Sequence, residues 1–148
     1  MTKLQQAIQD SVAMTQGLAT FDEPLNCAAQ MVLTSLTSGR KLLICGNGGS
    51  ASDATHMATE FLCRFLGDRR PYAALSLTAN GEFLTAMGND YHFDEVFARQ
   101  VWGLGEKGDV LISFTPFSSV RCVCRSRLVT RTVTSWPRAT PASASTRT

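Results

Sequence analysis

The sequence predicts an α/β fold, a doubly wound three-layer domain whose parallel strands are joined through helices and preceded by further helices. Two observations carry that reading. Short apolar runs at 42–45, 72–77 and 110–114 have the length of buried strands, and stretches with apolar residues at helical spacing separate them. The first run then breaks into Gly46-Asn47-Gly48-Gly49, a turn whose glycines permit backbone angles that a side chain would forbid. In sheets of this kind ligands sit at the carboxyl ends of the strands. Residues 47–50 and the segment after Phe114 are therefore expected to share one edge.

Taken in order, residues 3–18 place Leu4, Ile8 and Val12 four apart, the stripe of an amphipathic helix. Asp22 is expected to cap a second helix, with Glu23 and Pro24 in its first turn and Gly39 past its end. Leu25, Ala29, Val32 and Leu36 form its apolar face. Two helices before the first strand are one more than a βαβ unit requires. The surplus apolar surface either packs within the chain or pairs helices between subunits.

After the glycine turn, Ser50 reads as a helix cap, with Asp53 three residues on as an acidic variant of the capping box. Ala54, Met57, Ala58, Phe61, Leu62 and Phe65 then recur at helical spacing. Free N–H groups and the positive end of such a helix favour an anion, and missing side chains let it approach closely. A tight turn with no ligand is the plainer alternative. The P-loop is excluded, because no lysine follows the glycines. Gly46, Gly48 and Ala51 satisfy the dinucleotide pattern G-x-G-x-x-A, but residues 75–80 supply no acid for a ribose. The same helix carries His56 and Glu60, four apart and so on one face. That pair can share a metal, orient one partner for proton transfer, or simply decorate a helix surface.

Downstream, residues 69–71 form a basic turn, 72–77 the second strand and 82–87 a short helix. Gly88-Asn89-Asp90 is a turn by composition. Residues 93–104 form the next helix, with Val96, Phe97 and Val101 apolar; 105–108 end it, and 110–114 is the third strand.

The run Cys45-Gly46-Asn47-Gly48-Gly49-Ser50, with Asp53, His56 and Glu60, resembles the start of a sugar isomerase (SIS) domain of the phosphoheptose isomerase family. Gly88-Asn89-Asp90, residues 93–100 and Gly108-Asp109-Val110-Leu111 resemble the same family in order and spacing, over about residues 1–115. The resemblance implies a flavodoxin-like parallel sheet. It also implies an aldose–ketose isomerisation of sedoheptulose 7-phosphate to a heptose 7-phosphate, which supplies heptose for lipopolysaccharide or other surface glycans. By the same resemblance, Asn47, Gly48, Gly49, Ser50, Glu60, Asn89, Asp90 and Thr115 contact the sugar phosphate, and Glu60 takes part in proton transfer. His56 and Glu60 hold zinc in some members, and such proteins form homo-oligomers, commonly tetramers, through their N-terminal helices. A non-catalytic alternative exists, since some SIS proteins of similar size bind a replication initiator or regulate transcription. The initiator-binding relative lacks the acid one turn after the histidine, whereas Glu60 is present here.

With 148 residues, 44% hydrophobic and 18% charged, the chain is expected to build one globular domain. It shows no apolar run of membrane-spanning length and no signal-peptide layout at its start. Five scattered cysteines (27, 45, 63, 122, 124) read as reduced thiols of a cytoplasmic protein. Past Phe114 the family pattern stops. Where the family has a Ser/Thr-rich loop with Gly and Asn, the chain reads Thr115-Pro116-Phe117-Ser118-Ser119. The family's late glutamine and second histidine have no counterpart, since His56 and His92 are the chain's two histidines. Residues 117–148 hold six arginines, no acid and no glycine, for a net charge of +6 against −4 for residues 1–116. That tail is a basic nucleic-acid arm, a disordered Ser/Thr/Ala/Pro segment, or an out-of-frame translation. Its arginines lack the aromatic interleaving of a nucleic-acid binder, and the abrupt end of the family pattern favours the last reading.

Overall fold

The structure, a computed structural model, describes residues 1–115. Helix α1 (Lys3–Gly17) opens on a reciprocal cap: Thr2 Oγ1 accepts from Gln5 N at 3.2 Å, and Gln5 Oε1 accepts from Thr2 N at 2.8 Å. A 3-10 turn (Leu18–Phe21) leads into α2 (Asp22–Thr37). Strand β1 (Leu42–Gly46), α3 (Gly49–Leu62) and β2 (Ala74–Ser76) follow. Helix α4 (Gly81–Asp90), a 3-10 turn (Phe93–Glu95), α5 (Val96–Leu104) and β3 (Val110–Phe114) complete the described chain. The sheet has order β2-β1-β3 and all its pairs are parallel. Leu42 stands beside both Ala74 and Val110, and the β1–β3 register runs on to Gly46 beside Phe114.

Strand β1 is central and every residue in it is buried. Its side chains alternate between two clusters, as a strand's must. Leu42 and Ile44 join Leu36 of α2, Ala54 and Ala58 of α3 and Ala74. Leu43 and Cys45 join Leu77, Val101 of α5 and Leu111. One core face therefore seats α3, whose small alanines allow close approach to the sheet, and the three-layer expectation holds.

At the amino ends of β1 and β3 the strands are tied by a buried carboxylate. Asp109 Oδ1 accepts from Lys41 N at 3.0 Å, and Oδ2 accepts from Glu106 N at 2.8 Å and from Lys41 Nζ at 2.8 Å. Arg40 adds an ion pair to Glu106 at 2.9 Å. Burial alone would raise the Asp109 carboxyl, but the Lys41 and Glu106 hydrogen bonds and the lysine charge outweigh it and hold it below the usual range.

Several expectations are corrected. Asp22 does not cap α2; Phe21 holds the cap position, and Asp22 lies in the first turn. The second strand shrinks to three residues, flanked by single bonds to β1 in which the Ala73 carbonyl accepts from Leu42 N and Leu77 N donates to the Ile44 carbonyl. Helix α3 stops at Leu62, leaving Phe65 and Leu66 exposed rather than on its apolar face. Gly88-Asn89-Asp90 is no turn but the last turn of α4. Asn80 caps that helix (Oδ1 accepts from Phe83 N at 2.9 Å), and buried Met87 anchors its far end, overriding the turn-prone composition. Among the described residues nothing covers the apolar stripe of α1, which buries no residue: Leu4, Ile8 and Val12 are 70%, 54% and 50% exposed. The readings of the tail, residues 117–148, lie outside the described residues.

Candidate active site

The carboxyl edge of β1 is shaped by where side chains are missing. A Cβ on Gly46 would stand 2.5 Å from the Ser50 carbonyl oxygen, so the chain can fold back this tightly only with glycine. Gly48 has φ 58° and ψ −126°, a conformation open to glycine, and is itself the residue before the helix. Helix α3 thus starts at Gly49, two residues earlier than a Ser50 cap implies. Ser50 is inside the first turn, and no side chain caps the helix. The Ser50 and Ala51 N–H groups donate to the Asn47 and Gly48 carbonyls, both at 3.1 Å. Those of Gly48 and Gly49 donate to nothing among the described residues. Two free donors at the positive end of a helix, with no side chain over them, are the features that favour an anion. Carried one step past Gly46 and Phe114, the parallel register sets Thr115 at the level of Asn47.

Along the same helix, His56 Nε2 and Glu60 Oε1 lie 3.0 Å apart. His56 is exposed and Glu60 is partly covered. An open groove beside them is lined by Ala51, Ser52, Thr55, His56, Thr59 and Thr78. The structure therefore brings Asn47, Gly48, Gly49, Ser50 and Thr115 to one edge and joins His56 to Glu60 on the helix leading from it. It does not bring Asn89 and Asp90 to them. Both are exposed at the end of α4, which leans on the second 3-10 turn and on α5, and their side chains form no hydrogen bond among the described residues.

The sequence profile of the SIS domain matches residues 8–117. The chain belongs to the SIS domain family. It is 56% identical over 87 residues to a phosphoheptose isomerase of Bradyrhizobium sp. (strain BTAi1), covering 59% of this chain and 44% of that one. To the phosphoheptose isomerase of Methylibium petroleiphilum it is 45% identical over 120 residues, covering 78% and 60%. The solved phosphoheptose isomerase of Neisseria gonorrhoeae superposes with a TM-score of 0.70 at 39% identity, over 76% of this chain and 59% of that one. The SIS chain spans about half the length of the curated relatives it matches.

Two features of this SIS domain were not foreseen. The first is a cluster of hydroxyls tying α3 to the end of β2: Thr55 Oγ1 lies 3.0 Å from Ser76 Oγ and 3.3 Å from Thr78 Oγ1, and Ser76 and Thr78 lie 2.8 Å apart. Thr55 and Thr78 also donate to the Ala51 carbonyl. Its members are too far apart in the chain for spacing to reveal them. The second is Arg69, which was read only as part of a basic turn and in fact reaches back onto the end of α3. As a metal site, His56 and Glu60 supply two donors. No group of three or more histidine, cysteine or carboxylate side chains comes together among the described residues. That falls short of the three or four protein ligands of a zinc centre, so no step is derived through zinc. Cys27, Cys45 and Cys63 are free thiols. Burial pushes the Cys45 thiol up, and a hydrogen bond with Ser113 only partly offsets it.

Proposed function

We propose that this SIS domain carries the phosphate-binding and proton-transfer half of a sugar-phosphate aldose–ketose isomerase acting on sedoheptulose 7-phosphate. One observation supports this above the rest: the unpaired Gly48 and Gly49 N–H groups and the His56–Glu60 pair belong to the same helix. The seven residues of helical rise from Gly49 to His56 span about 10 Å, the scale of an extended seven-carbon chain. A phosphate at the helix start therefore lays C1 and C2 beside the pair, because Glu60 leans back toward the amino end to meet His56. In that reading the Glu60 carboxylate takes the proton from C1 of the ketose as O2 gains one, giving an enediol, and returns its proton to C2 as O1 loses its own, so that the net hydroxyl proton transfer is from O1 to O2. His56 holds the carboxylate in place. Asn47, Ser50 and Thr115 line the phosphate end, and Asn89 and Asp90 belong to the sugar site by family likeness.

The names of the relatives support the substrate, and the presence of Glu60 beside His56 favours chemistry over the non-catalytic SIS alternative. The bare apolar stripe of α1 supports self-association, with a tetramer as the expected form. No described helix is long and apolar enough to cross a membrane, and a cytoplasmic location is part of this proposal. Residues 117–148 are proposed not to complete the domain, being an out-of-frame continuation. Translating the encoding DNA in its other frames tests that: a Gly/Ser loop and a late Gln and His should appear in one of them.

The binding half is tested by titrating sedoheptulose 7-phosphate calorimetrically against the chain and against Gly49→Val. A Cβ at Gly49 meets nothing within 4 Å, so a side chain there is expected to be accommodated by the fold while crowding the free N–H groups. Affinity should fall at least about tenfold, roughly 1.4 kcal/mol. Equal affinity for the two proteins would sink the proposal.

A further inference from the structure

We propose that Arg69 is the positioning residue that fixes Glu60 against His56, acting through the last carbonyls of α3. The final turn of any helix leaves carbonyl oxygens without intrahelical donors. Here no glycine cap supplies them; Cys63 takes φ −90° and ψ −93°, and the chain leaves the helix at once. The missing donors come from Arg69. Its Nη1 donates to the Phe61 carbonyl at 2.8 Å and to the Arg70 carbonyl at 3.0 Å, and its Nη2 donates to the carbonyl of Glu60 itself.

The fork is itself held. The guanidinium lies 4.7 Å from the centroid of the Tyr72 ring. Tyr72 N donates to the Phe61 carbonyl at 3.1 Å, and the ring packs against the core beside Leu42 and Ala58. A planar cation with fixed donor directions, stacked on an aromatic ring, clamps two successive carbonyls more firmly than an ammonium could. It also sits at the negative end of the helix dipole, where a cation is favoured. The consequence falls on one side chain. Glu60 occupies the last full turn of α3, so fraying of that turn moves its carboxylate away from His56, whereas the anion site at Gly48 and Gly49 lies three turns off. The catalytic meaning of this positioning rests on the proton-transfer role proposed above; the positioning itself does not.

The test uses the full chain and proton NMR. His56 and His92 are its two histidines, so the His56 ring signals can be assigned by comparison with His56→Gln. Cross-relaxation between the His56 ring protons and the Glu60 side chain reports the 3.0 Å contact. It should be lost in Arg69→Ala and in Arg69→Met, which keeps the aliphatic stem on Tyr72 and the fold but removes the donors. Arg69→Lys should restore part of it. A merely structural arginine would lower the thermal midpoint and leave these cross-peaks unchanged in the folded molecules, and that result in Arg69→Met overturns the proposal. Full turnover of sedoheptulose 7-phosphate by Glu60→Gln, with cross-peaks in the parent chain still sensitive to Arg69, would instead overturn the proton-transfer role and leave the positioning in place.

Discussion

The two ends of β1 and β3 are built on opposite plans. At the amino ends charges are paired: the Asp109 carboxylate, fully buried, accepts three hydrogen bonds, and Arg40 closes over Glu106. At the carboxyl end of β1 side chains give way to glycine, and the N–H groups of Gly48 and Gly49 have no partner among the described residues. One edge holds the sheet together, and the other is where the proposed sugar phosphate would bind. Stability and binding are thereby separated by the length of a five-residue strand, and substitutions at one edge should leave the other nearly untouched.

The largest effect should come from Asp109→Ala. It strands the Lys41 and Glu106 N–H groups without an acceptor and should cost about 3 kcal/mol in urea unfolding, with unchanged sugar-phosphate affinity per folded molecule. A pH titration sharpens the same point. The carboxyl is held below its unfolded value, so its contribution is complete above about pH 4 and is lost only as pH falls further, through the folded value. Stability of Asp109→Ala should lack that acid limb; an equal acid loss in the variant would remove Asp109 from the account.

Next comes Gly46→Ala at the other edge. Its Cβ meets backbone of the first α3 turn at 2.5 Å, which cannot yield without moving the anion site. An expected cost of about 2 kcal/mol should come with loss of sugar-phosphate binding, the coupling absent from Asp109→Ala. Retained affinity in a folded Gly46→Ala chain would break the comparison. The smallest effect is expected with zinc. Two donors leave half of a tetrahedral shell to water, so metal analysis of chain purified without chelator should find well under one equivalent. A full equivalent lost in Glu60→Ala would reverse that.

The sheet was legible because its strands are short, mostly apolar runs of strand length, and β1 and β3 lie where those runs lie. The His56–Glu60 pair was legible because helical spacing places residues four apart on one face. Element ends were harder to read. Ser50 and Asp22 look like caps because local rules favour them, but the tight approach of Gly46 to Ser50 accompanies a start of α3 two residues earlier. Asn89 and Asp90 read as a turn because composition carries no trace of Met87, whose burial extends α4. The Asp109 staple and the Arg69 clamp join residues that only the fold brings together, so neither has a spacing to betray it.

Helix α1 leans on the turn that follows it and buries nothing. With the self-association proposed above, covering its stripe is a bimolecular event, and its free energy belongs to the solution as much as to the chain. Each tenfold dilution would withdraw about 1.4 kcal/mol per association step. The melting temperature of this protein would then be a function of how much of it is in the tube.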